Sequence, residues 1–351
     1  MAYNIFTPLN PTEDITSIRG IEVTTGMWSG DTGSLSTIFT SSVQVANSGE
    51  FYYDAYNLNP VSNDSAEVQF SVAYGHVSGG GSPTLTTLDT PTLPTQVTYA
   101  QYRNILLGKD VELFSFNEVS TNDIYVINIQ RARLKQAIDP GNWELKLSGS
   151  NGVKTFIDDS GLGTAVAGNL VANNVYNIRS GSITGGVNSV DTTVYGQVFP
   201  DYGVIVLNPS LVNNLIGVTG SNATENGRNL PGPFAPYTGS AATTYQYQHE
   251  SLFRSIKLGA DFQARSAETI TSNNYFIRLR NTAYNYSNNP TYYTGSNPQN
   301  VLEPFRVKPV TYATTIGLYN DANELLAVAK LSRPIQKSTD KEALIRVRLD
   351  Y

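Results

Sequence analysis

The chain has 351 residues, a net charge of −6 and a pI near 5.0, and only 15% of it is charged, against about 25% in ordinary soluble domains. A weakly acidic surface rich in Ser, Thr, Asn and Gly gives no attraction for phosphate backbones, so nucleic acid is excluded as an expected partner. Without cysteine there is neither a disulfide framework nor a thiolate metal site, and no apolar run approaches the roughly 20 residues of a membrane helix.

In chain order, the opening Met1-Ala-Tyr-Asn-Ile-Phe-Thr-Pro8 lacks the basic and apolar regions of a secretory signal. Ile18 to Thr25 reads as a strand. Phe51, Tyr53 and Ala55 alternate with Tyr52, Asp54 and Tyr56. Val68, Phe70, Val72 and Tyr74 alternate with Gln69, Ser71 and Ala73. Between them lies a loop of turn formers, Asn59 to Ser65, so the two segments are expected to pair antiparallel. Gly79 to Pro83 breaks the pattern, and Thr84 to Thr95 is expected to be extended. Tyr99 to Leu107 has helical spacing, with Thr98 as cap and Gly108 as stop.

Ile124 to Gln130, apolar on both faces at its start, reads as a central strand. Asp139-Pro-Gly-Asn142 fits a type II turn. Trp143, Leu145 and Leu147 then share one face of a strand, and this strand is expected to pair with Ile124 to Gln130. Thr193 to Phe199 and Gly203 to Leu207 form another pair. Pro209 to Ile216 reads as a helix capped by Asn208. Gly217 to Thr244 has no periodicity and few charges, the composition of a loop that binds something or orders in an assembly. Tyr247 to Leu258 is a helix with Leu252, Phe253 and Ile256 inward.

Tyr275, Ile277 and Leu279 alternate with Phe276, Arg278 and Arg280. Tyr312 to Leu331 is a hairpin turning at Asn320 to Asn323, with Tyr312, Thr314, Ile316 and Leu318 on one face and Leu326, Val328 and Lys330 returning. Pro334 places the following stretch at an edge or a crossing. In the last segment Ile345, Val347, Leu349 and Tyr351 oppose Arg346, Arg348 and Asp350, a half-buried strand whose free edge offers pairing to another chain. The expected fold is mainly β: antiparallel β-sandwich or β-sheet domains with a few short helices and long loops. Residues 1–260 form a β-rich N-terminal and central region of one or two domains, and 261–351 a C-terminal β domain.

Catalytic signals are sparse. His76 and His249 read as structural or surface residues, since nothing places a nucleophile and an orienting group beside either. Asp158-Asp159 point opposite ways in extended chain and make a poor acid–base pair. Asn320-Asp-Ala-Asn-Glu324 lacks the glycine and distal glutamate of a calcium loop. Asn222-Ala-Thr and Asn285-Tyr-Ser match the glycosylation pattern but read more simply as turns. No catalytic residue, metal or cofactor is expected.

Three segments carry a resemblance: Tyr275-Phe-Ile-Arg-Leu-Arg-Asn281, Tyr284-Asn-Tyr-Ser-Asn-Asn-Pro-Thr291 and Thr311 to Leu331, joined by Ile129 to Trp143. They resemble the C-terminal region of structural proteins of contractile-tailed bacteriophages, in particular T4-like cyanophages. The resemblance covers residues 270 to 351 and implies a tail or baseplate component. Its copies would assemble symmetrically with one another and with other virion proteins, in the host cytoplasm and then in the virion tail. The residues expected to make those contacts are Asn285, Tyr286, Asn288, Asn289, Pro290, Arg346, Arg348 and Tyr351. Two other readings stay open: a receptor- or glycan-binding tail protein, because aromatic faces and amides suit a host-surface glycan, and a tail-associated hydrolase, which would need paired carboxylates in a cleft.

Overall fold

The computed structural model describes residues 7–40, 52–82, 93–108, 111–163, 174–217, 223–225, 228–230, 248–294 and 300–350. The chain is mainly β, 46% strand and 19% helix. Its first half runs β1 (Ile15–Gly26), β2 (Ser34–Leu35), β3 (Tyr52–Tyr56), β4 (Val68–His76), α1 (Pro94–Leu106), β5 (Phe114–Phe116), β6 (Val119–Thr121), β7 (Asp123–Ile129), α2 (Arg131–Leu134), β8 (Ala137–Ile138), β9 (Glu144–Gly149) and β10 (Gly152–Asp158). Then come β11 (Tyr176–Ser182), β12 (Gly186–Val187), β13 (Gly196–Phe199), β14 (Val204–Leu207), α3 (Pro209–Ile216), β15 (Ala223–Glu225), β16 (Arg228–Leu230), α4 (Gln248–Gly259), β17 (Phe262–Gln263), β18 (Arg265–Leu279), α5 (Glu303–Val307), β19 (Val310–Tyr319), β20 (Leu325–Ser338) and β21 (Ala343–Asp350). Two compact units result. The central unit is Val23–Glu268; the terminal unit joins Met1–Glu22 to Thr269–Tyr351.

The central unit is organised by one curled, 11-stranded sheet in the order β2-β17-β9-β10-β11-β13-β14-β7-β4-β3, with β12 paired to β11. The apolar character of β7 on both faces explains its position. Tyr125, Ile127 and Ile129 join the larger core, with Trp28, Trp143, Leu252 and Phe253. Ile124 and Val126 point the other way, into a second core with Tyr99, Leu106, Phe114 and Phe116. Neighbouring β14 divides in the same way, Ile205 and Leu207 against Val204 and Val206. Each fully buried large side chain contributes about 1.5–3 kcal/mol. Ring packing fixes the geometry: Trp28 lies 4.8 Å from Phe262, and its indole Nε1 donates to the Phe262 carbonyl at 2.8 Å.

Several expectations hold at residue level. β3 and β4 pair antiparallel, as do β13 and β14. Asn208 caps α3, its side chain accepting from Leu211 N at 3.3 Å, with Pro209 in the first turn. Gly141 (φ 78°) and the Asn142 N to Asp139 O bond of 3.2 Å make the expected turn. Leu252, Phe253 and Ile256 of α4 are buried.

Other expectations are corrected. β7 and β9 do not pair. Both edges of β7 are occupied, by β4 and β14, and β9 pairs with β10 and β17 instead. The α1 helix starts at Pro94, where proline's fixed φ suits the first turn. Thr98 is therefore inside the helix and donates to the Pro94 carbonyl at 3.1 Å. Phe51, Thr84 to Thr92 and Tyr247 lie outside the described residues, as does most of Gly217 to Thr244, within which β15 and β16 pair antiparallel. Among the described residues no helix is long and apolar enough to cross a membrane.

Candidate functional site

The terminal unit is built on a sheet in the order β1-β18-β21. β18 and β21 pair antiparallel in unbroken register from Ser272 opposite Asp350 to Leu279 opposite Ala343. The alternation anticipated for β21 is realised: Ile345 and Val347 are buried, whereas Leu344, Arg346, Arg348 and Asp350 are exposed. Strand pairing puts Arg346 opposite Phe276 and Arg348 opposite Asn274, so both arginines lie on the face away from Ile345. Arg348 bonds Asp350 at 2.7 Å and Arg278 bonds Glu342 at 2.9 Å. Hydrogen bonds from those guanidinium groups hold the Glu342 and Asp350 carboxyls below the usual range.

The segment 281–293 folds around Lys337. This side chain is 1% exposed and donates to Asn285 Oδ1 at 2.7 Å, Ser338 O at 3.0 Å and Asn281 O at 3.1 Å. Burial lowers its pKa. Asn289 caps a single 3-10 turn that begins at Pro290, accepting from Thr291 N at 3.2 Å. Tyr292 stacks on Phe305 with ring centroids 4.5 Å apart, and its hydroxyl donates to Asn285 O at 3.2 Å.

The β19–β20 hairpin departs from expectation in its faces. Pairing jumps between Ala313/Ile335 and Thr315/Lys330, and shifts again near the tip. The extra residues around Pro334 and at Thr314 reverse which side chains face inward. Ile316, Leu318, Ala327 and Ala329 are partly covered. Tyr312, Thr314, Leu326, Val328 and Lys330 are exposed.

A groove of about 940 Å³ lies wholly within this unit. Ile277, Leu279, Ile345 and Leu349 of the sheet contribute to its lining, as do Ile316 and Leu318 of the hairpin. Tyr275, Tyr284, Tyr286, Tyr312 and Tyr319 also line it. Of the residues singled out from sequence, only Tyr286 lines the groove; Asn285 anchors its wall through Lys337, Asn288 is exposed, and Asn289 and Pro290 shape the adjoining turn. Arg346 and Arg348 lie on the opposite sheet face, and Tyr351 is outside the described residues. Sequence reasoning missed Lys337, because no local pattern distinguishes a lysine that will be enclosed by a distant loop.

In the central unit, polar groups serve the fold. His76 Nδ1 accepts from Gly80 N at 3.0 Å and Ser78 N at 3.2 Å, closing the turn after β4. Burial pulls its pKa down, with Asp123 opposing. His249 meets the Tyr53 ring edge-on at 5.4 Å. Asp158 accepts from Gly141 N at 2.8 Å and from the Trp143 indole, while Asp159 accepts from Asn177 N at 2.9 Å. Among the described residues no group of three His, Asp or Glu is arranged to hold a metal ion.

Comparison with known proteins found no matching family model, curated protein or solved structure. The likeness to phage tail proteins therefore rests on the quoted motifs alone.

Proposed function

We propose that the chain is a non-enzymatic structural subunit of a tailed-phage particle, in the baseplate or at the tail junction. It joins copies of itself and other virion proteins through strand edges and loops. One observation carries the reading. Among the described residues of the terminal unit, the buried hydrophobics are Tyr292, Ile345 and Val347, whereas Leu325, Leu326, Val328, Leu344 and Val307 are each more than half exposed. A region of roughly a hundred residues needs a larger core than that to be stable by itself. Exposed apolar surface of this kind supports burial against neighbours. β21 and the two-stranded hairpin supply unpaired edges among the described strands. Arg346 and Arg348 bias β21 against pairing with its own copy, since an antiparallel pair centred on Val347 would set one arginine opposite the other.

The test is assembly. Removal of 342–351 should leave the central unit folded but yield particles that lack the subunit or stall before tail completion. Normal particles, with the truncated and intact chains both monodisperse monomers at high concentration, would end the proposal.

A further inference from the structure

We infer that His76 is an acid-released latch: its neutral ring closes the turn after β4, that turn holds the start of α1, and protonating the ring frees the helix end. The inference concerns the central unit and stands apart from the assembly reading. The α1 helix has no cap of its own. Leu93 stands at the cap position and makes no side-chain bond, where Ser, Thr, Asp or Asn would ordinarily accept from the first turn. Ser82 takes that part from outside the helix. Its Oγ accepts from Thr95 N at 3.3 Å and lies 2.7 Å from Thr95 Oγ1, which donates to Gly80 O at 2.9 Å. The packing is close: a Cβ on Gly79 would fall 2.6 Å from Leu93 Cβ, and one on Gly75 2.9 Å from Tyr99 N.

His76 fastens the turn that makes these contacts. The ring is 7% exposed. Its Nδ1 accepts from Gly80 N at 3.0 Å and Ser78 N at 3.2 Å, with Ser78 Oγ also at 3.2 Å. An accepting ring nitrogen bears no proton, so the neutral imidazole carries its proton on Nε2. The imidazolium carries one on each nitrogen. Its Nδ1–H would point at two backbone N–H groups that cannot accept, and only the Ser78 hydroxyl could turn to receive it. Opening the turn relieves that conflict and takes Gly80 and Ser82 away from Thr95. Among the described residues the titratable and charged groups nearby are Asp123 of β7, which is the cross-strand partner of His76, Tyr74 of β4, whose hydroxyl donates to Asp123 at 3.3 Å, and Tyr99 and Arg103 of α1. Burial lowers the His76 pKa from 6.5, with Asp123 opposing, and burial raises that of Asp123 from 3.8. The two titrations therefore approach each other in the acid range. A histidine held below its ordinary value leaves the latch complete above 6.5 and releases it as pH falls through the depressed value.

Nitrogen-15 labelling of histidine, of which the chain holds only two, tests the latch together with amide exchange referred to intrinsic rates. At neutral pH the His76 Nδ1 should resonate as an unprotonated nitrogen. The ring should titrate below pH 6.5. Protection of the Gly80 and Thr95 amides should fall tenfold or more at that same midpoint, while Phe253 in α4 keeps its own. His76→Asn, whose Oδ1 can take the place of Nδ1 but does not titrate, should hold that protection through the acid range. A proton on Nδ1 at neutral pH would overturn the inference. So would a ring that titrates with the Gly80 and Thr95 amides undisturbed, equal acid loss in the asparagine variant, or loss at Gly80, Thr95 and Phe253 together. If the asparagine variant does not fold, the joint titration of ring and amides in the unaltered chain decides.

Discussion

The central and terminal units solve the same problem in opposite ways. Both are antiparallel β structures of alternating sequence. The central sheet is covered by apolar packing on both faces, and its Trp28, Trp143, Phe70 and Phe262 are at most 1% exposed. Among the described hydrophobic residues of the terminal unit only Tyr292, Ile345 and Val347 are buried, beside the polar Ser272 and Asn274 of its sheet, and the hairpin keeps leucine and valine in solvent. The lesson is that alternation specifies a strand but not the completeness of its cover. A region left half-covered is suited to binding, and its stability should respond less to truncation of its core.

The largest effect should come from Trp143→Ala. It removes a fully buried ring and one of the donors to Asp158, at a cost of about 3–5 kcal/mol. Val347→Ala, measured in the same urea unfolding experiment, should cost far less. Equal losses would break the contrast between the units.

Lys337→Met should come next. It deletes three hydrogen bonds from a buried ammonium; bonds to charged groups contribute about 1.5–3 kcal/mol each at most, partly offset here by relief of desolvation. Because burial depresses this pKa from 10.5, the unfolded chain holds the proton to higher pH than the folded one. Stability of the terminal unit should therefore rise as pH climbs through the window between the depressed value and 10.5. That rise should vanish in the methionine variant, as followed by the tyrosine ring resonances of 284 and 286.

A smaller effect should appear in acid. Glu342 and Asp350 are held below 4.5 and 3.8 by Arg278 and Arg348, so their contribution is complete above those ordinary values and lost as pH falls through the depressed ones. Amide exchange in β21 should accelerate over that range, and Arg278→Ala should reduce the Glu342 part, leaving what the Asn281 N–H and the Arg280 charge supply. The smallest change in monomer stability, within about 0.5 kcal/mol, should follow Val328→Ser on the exposed hairpin face. The same variant should be poorly incorporated into particles. A large stability loss would mean that this face is already covered within the chain.

Much of the local structure was legible. Asn208 before Pro209 announced a capped helix, and the Ile345/Val347 pattern announced both a strand and its buried face. The start of α1 is misjudged from sequence because Thr98 is taken as its cap, whereas Leu93 stands at the cap position and Pro94 opens the helix. The hairpin faces were misjudged because a bulge reverses side-chain direction without leaving a periodic trace, Pro334 being its one signal. Tyr286, expected from sequence as an assembly contact, lines the groove, whereas Tyr312 and Tyr319 read as strand residues and Lys337 carries no local signal.

Short-range physics, acting through side-chain alternation, caps and turn residues, determined from sequence alone that this chain is mainly β and where most of its strands lie. Which strands become neighbours, why β9 leaves β7 for β10 and β17, and how residues far apart in the chain enclose Lys337 and line one groove were decided only in three dimensions. Those outcomes depend on competition among distant edges and faces for the same partners, and no window of neighbouring residues contains that competition.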